Sequence, residues 1–181
     1  MMPSSDPSAH RSAASHSVVA LLRSLFGMAH YTLQGVMHGV SSEDARRRPE
    51  GATPSIEAQL VHLAASEDFL VNAVARRSTP LLATLYSGRT GFDGQPPLTG
   101  WDEWAEDAHI DLAAATVYAR GVFAATDYSL STMSDADLER MVDADAIGLG
   151  TQAVGSVLAL ALQNCMLHTG EISAIKGAFG Q

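Results

Sequence analysis

Two histidines stand on stretches that are otherwise apolar: His62 in "AQLVHLAASEDFL" and His168 in "NCMLHTGEIS". A buried neutral imidazole needs partners for both ring nitrogens. Two of them meeting across helices form a natural ligand pair for a borderline divalent metal such as Zn, Ni or Fe. Asn164 lies four residues before His168 and Glu171 three after it, so the three project from one helix face on successive turns. Catalytic metal sites usually keep three protein ligands and leave one position to water or substrate. His62 and His168 give two. Candidates for the third are Glu171, a good ligand, Asn164, a weak neutral one, and His30 on the first apolar stretch. A metal so held would polarise a carbonyl or lower the pKa of a bound water or thiol.

Each of these residues also has a structural reading. Asn164 can fix a water or a histidine tautomer, and Thr169 and Glu171 can be hydrogen-bond partners of His168 rather than ligands. Glu171 can instead pair with Lys176, Arg23 or a helix end. Cys165 sits about 100° around the helix from Asn164 and reads as a small core residue. His30 and Tyr31 suggest a polar notch, with His38 near a helix end and His109 paired on the surface with Glu106. Trp101 and Trp104 read as anchors of a helix against a preceding loop, with a pocket wall as the alternative.

Four helices must position these groups. Val18, Leu22, Leu25, Phe26, Ala29, Leu33 and Val36 recur at three- and four-residue steps, predicting a first helix that ends near Gly39 to Ser42. A polar connector leads to Ser55, a start signal for a second helix over about 55 to 77, with Glu57, Glu67 and Arg76 assigned to its outer side. Residues 78 to 100 are crowded with Gly and Pro and read as a long crossover or lid. A third helix is expected over roughly 101 to 126, then a short turn capped by Ser134, then a fourth helix over about 151 to 176 closed by a C-cap at Gly177 or Gly180. Almost no strand pattern is present. The expectation is an all-α four-helix bundle spanning residues 15 to 181, preceded by a disordered tail over 1 to 14.

Composition narrows the function. The chain has 181 residues, 46% of them hydrophobic, enough for one core without disulfides. Its formal charge of -9 opposes binding to nucleic acid or anionic membrane surfaces. The single cysteine fits a reducing compartment, the N-terminus lacks the basic start of a signal peptide, and no uncharged run approaches ~18 residues. A soluble cytoplasmic protein is expected. The all-round apolar character of residues 153 to 167 predicts a twofold homodimer.

"SIEAQLVHLAASEDFLV" and "HTGEISAIKGAFG" resemble the second-helix and last-helix signatures of the DinB-like superfamily. The resemblance implies an up-down-down-up bundle with a long connection between helices 2 and 3, and a metal held by one His on the second helix and an H-x-x-x-H pair on the last. His62 matches the first of these and His168 the second His of the pair, while Asn164 occupies the position of its first His. The activities implied are metal-dependent thiol transfer or hydrolysis on a small molecule. Two readings follow. One is a divalent-metal site built on His62 and His168 and completed by Asn164, Glu171 or His30. The other is a metal-free binding or structural homodimer in which His62, Asn164 and His168 form a hydrogen-bond network.

Overall fold

A computed structural model describes residues 17–48, 54–94, 96–97 and 100–180. The predicted tail over residues 1 to 14 lies outside the described residues, as do 49 to 53 and parts of the crossover. The chain is mostly helical. Helix α1 spans Val18–Met37, α2 Ser42–Arg46, α3 Ile56–Glu67, α4 Trp101–Asp107, α5 Leu112–Thr132 and α6 Val154–Ala178. Strands β1, Met141–Asp143, and β2, Thr151–Ala153, pair antiparallel.

The starts of α1, α3 and α5 are each set by a nearby side-chain oxygen. At α1, Ser17 Oγ accepts from the Ala20 amide, and Asp135 reaches from 116 residues away to accept from the amide of Val19 at 2.9 Å. These bonds hold the Asp135 carboxyl below the usual carboxylate range and place a negative charge at the positive end of the helix. Ser55 caps α3 and Asp111 caps α5 through their side-chain oxygens. Gly91 brings the crossover onto the start of α5: its φ is +84°, its carbonyl accepts from the Asp111 amide at 2.6 Å, and a Cβ there would stand 2.5 Å from the Ala115 nitrogen.

Helices α1 and α3 each pack against both α5 and α6. One apolar cluster gathers Val19 and Phe26 of α1, Val71 and Val74 after α3, Leu130 of α5 and Val154 to Leu162 of α6. A second gathers Leu33 of α1, Ile56 to Ala64 of α3, Leu112 to Phe123 of α5, and Ile172 and Ile175 of α6.

Four local expectations change. The second helix continues past Glu67 as a π-helical stretch, Asp68–Ala75. Glu57 and Glu67 are buried rather than outward, because α3 is covered on every side and has no outer face. The third helix is broken between Asp107 and Leu112, where Ile110 makes a β-bridge with Phe92 of the crossover. This break removes the expected one-turn pairing of Glu106 with His109, and Glu106 lies 3.9 Å from Arg48 instead. The fourth helix begins at Val154, since Thr151–Ala153 is drawn into the two-stranded ladder.

Asp68 ties the crossover to the core. Its buried carboxylate accepts from the amides of Leu81 and Leu82, both at 2.9 Å, from the Tyr118 hydroxyl at 2.8 Å and from Asn72 Nδ2 at 2.7 Å. Burial and the Asp68 charge together push the Tyr118 hydroxyl pKa upward, so it remains a donor. Asp68→Ala strands several of these donors at once. It is expected to cost at least ~3 kcal/mol of unfolding free energy in urea, against about 1.5 kcal/mol for Tyr118→Phe. An equal or smaller cost for Asp68→Ala would contradict this role.

Candidate functional site

His62 from α3 and His168 from α6 meet edge to face, with ring centroids 4.7 Å apart. Trp101, the first residue of α4, lies flat on His62 at 4.1 Å and edge-on to His168 at 5.5 Å. Trp104 packs on Phe92 of the crossover, the anchoring contact expected of both tryptophans. Trp101 instead covers the two imidazoles.

The two imidazoles are held differently. His168 Nδ1 lies 2.7 Å from Glu171 Oε2 and 2.5 Å from Gln59 Oε1. A carboxylate only accepts, so Nδ1 carries a proton, and in the neutral tautomer the lone pair lies on Nε2. Glu171 therefore orients His168 from behind, the arrangement in which carboxylates support metal-binding histidines. His62 has no hydrogen-bond partner among the described residues. Burial, and then the neighbouring His168, lower its pKa to about 4, which leaves it neutral at pH 7.

Asn164, one turn before His168, lines a cavity of about 300 Å³ together with His62 and Ser66, opposite Leu70, Ile147, Leu149 and Leu160. Its Nδ2 is buried without a partner. A larger groove of about 380 Å³ between α1 and α6 carries no titratable side chain.

His30 is engaged elsewhere. Its Nε2 lies 2.9 Å from Glu67 Oε2, and Thr126 donates to Glu67 Oε1 at 2.6 Å. Cys165 is buried beside this pair, and burial together with the Glu67 charge pushes its thiol up to about 12, which rules out a thiolate nucleophile at neutral pH. Among the described residues, His30, Glu67 and Cys165 are the one set of three His, Cys, Asp or Glu side chains with ligand atoms within 4.8 Å of one another. His62, His168 and Glu171 do not converge in that way.

The DinB superfamily profile matches residues 25–172, across all four long helices and both histidines. The chain belongs to the DinB superfamily. A crystal structure of a conserved protein from Enterococcus faecalis has the same fold as this DinB protein, with a TM-score of 0.75 at 17% identity over 92% of this chain and 100% of that one. No curated protein matches.

One site partner, Gln59, escapes the sequence reading, and Trp101 figures in it only with a pocket wall as the alternative to an anchor. Gln59 stands three residues before His62 in an apolar run, a spacing that puts both on one face and could have flagged it. Trp101 is brought to the site by the fold of the crossover, which no local pattern encodes.

The donor types suit a borderline cation: two imidazoles, and an amide whose buried nitrogen lacks a partner and whose oxygen would take that place on a flip. In the metal-free protein, His62 gives a signed pH effect. Its folded pKa lies below the unfolded value of about 6.5, so between about 6.5 and 4 the unfolded chain binds more protons and stability falls as pH falls. Wild type should lose on the order of 3 kcal/mol more than His62→Gln across that window. Parallel stability curves for the two proteins would refute the assignment.

Proposed function

We propose that this DinB protein holds a divalent metal between His62 and His168, with the Asn164 amide oxygen as a third, weak donor, and acts on a small molecule in the adjoining cavity. The observation that carries this reading is the buried, unpartnered amide of Asn164 beside the neutral imidazole of His62, which has no hydrogen-bond partner among the described residues. In a metal-free network that amide would be expected to close a hydrogen bond. When bound, the metal would supply Lewis-acid polarisation of a substrate carbonyl or thiol. The chain's own residues do the rest: Glu171 and Gln59 keep the His168 proton on Nδ1, Trp101 keeps water from one face of His62, and Ser66 offers a hydroxyl to the ligand. Thiol transfer or hydrolysis is the reaction class that the family resemblance suggests.

The frame for this site is read as an up-down-down-up four-helix bundle. Support comes from the two apolar clusters: the starts of α1 and α6 share one with the ends of the α3 and α5 segments, and the opposite ends share the other.

Metal counted per chain, in protein purified without an affinity tag or chelator, tests the proposal. His62→Ala should lose one equivalent with little change in apo melting temperature, Glu171→Ala should bind about 10–100-fold more weakly, and Asn164→His should bind more tightly than wild type. If His62→Ala lowers only the apo stability and no metal is lost, the metal-free network reading replaces this one.

A further inference from the structure

The side chains that bring three potential ligand atoms closest together lie outside the His62 and His168 pocket. His30 of α1, Glu67 of α3 and Cys165 of α6 are all buried, and their ligand atoms lie within 4.8 Å of one another. We infer that this triad is a second, thiolate-containing site for a thiophilic divalent cation such as Zn²⁺, independent of the His62 pocket.

Three features of the cluster point this way. First, its charge suits a dry interior. Imidazole, carboxylate and thiolate together carry two negative charges and would neutralise a dication, whereas two imidazoles and an amide neutralise none of it. Second, the side chains are already oriented. Thr126 holds Glu67 Oε1, leaving Oε2 toward His30, and the His30 ring is stacked on Phe123 at 3.9 Å. Third, the hydrogen bonds of His30, Glu67 and Thr126 do not require a sulfur beside them. A tetrahedral zinc spaces its ligands by about 3.3–3.8 Å, so the pair now at 2.9 Å would part by a few tenths of an ångström while the sulfur drew closer.

The proton balance is simple. Loading releases the Cys165 thiol proton to solvent and moves the His30 ring proton from Nε2, where it faces the Glu67 carboxylate, to Nδ1, so that Nε2 and Glu67 Oε2 both become ligands. The fourth position goes to water. Ala29, next to His30 on α1, and Thr169, one turn after Cys165 on α6, wall the open groove between those helices.

Cobalt(II) titration of the full chain tests the inference, because Cys165 is the only cysteine and a sulfur-to-cobalt charge-transfer band therefore reports this thiol alone. The band should saturate at one equivalent, be bleached by Zn²⁺, persist in His62→Ala, and require at least tenfold more cobalt in Glu67→Gln. Absence of the band at saturating cobalt in the folded wild type overturns the site. A band whose midpoint is unchanged in Glu67→Gln and in His30→Gln also overturns it. Should those variants fail to fold by circular dichroism, Cys165→Ala decides: loss of one cobalt equivalent from the folded protein supports the site, and an unchanged cobalt count refutes it.

Discussion

Helix α3 is buried along almost its whole length, and every polar side chain it carries must find a partner from another part of the molecule. An unsatisfied buried polar group costs about 1–3 kcal/mol, so a helix with Gln, His, Glu and then Asp in its covered stretch constrains everything packed on it. Gln59 takes His168 of α6, Glu67 takes His30 of α1 and Thr126 of α5, and Asp68 takes Tyr118 of α5 with two amides of the crossover. Glu57 is served least well: Arg46 stands 3.6 Å away, and burial raises the carboxyl pKa. These bonds fix the rotation of α3 about its axis, and with it the direction in which His62 points.

The same accounting separates structural from functional polar groups. Most buried polar side chains of α3 are matched by a donor or acceptor from this chain, whereas His62 meets only the rings of Trp101 and His168 and shares its cavity with an unpartnered amide. Groups that a fold leaves unmatched at a cavity are candidates for contact with something other than the fold. Trp101 sharpens the contrast, because the indole that covers His62 adds to the burial that keeps the ring neutral, and a neutral ring is the form that offers a lone pair.

The helices and the two histidines were legible in the sequence because an apolar stripe at helical spacing reports burial directly, and a His inside such a stripe is conspicuous. Glu67 was not legible. Hydrophobic periodicity assigns a carboxylate to the outside, and only the arrival of His30 and Thr126 from other helices makes its burial tolerable. The break before α5 was hidden for a related reason: "AEDAHID" contains neither Gly nor Pro, and the helix is interrupted by the bridge of Ile110 to Phe92 rather than by a local breaker. Strands of three residues are too short to show alternation, so the ladder between β1 and β2 left only its turn glycines as a trace.

Charge divides the two histidine clusters more sharply than their position does. Around His62 the pKa of the one titratable cavity residue is lowered, and a dication held by imidazoles and an amide would keep most of its charge, which favours transfer of that charge to a polarised substrate. Around His30 a carboxylate and a thiol stand together in the buried interior, where a dication would be neutralised and held rather than used. One helix can serve both environments because Gln59 and His62 face α6 near His168, while Glu67 lies beyond them on the side that meets α1 and α5. The proposed reactive site and the proposed structural one would thereby be kept apart on the same buried helix.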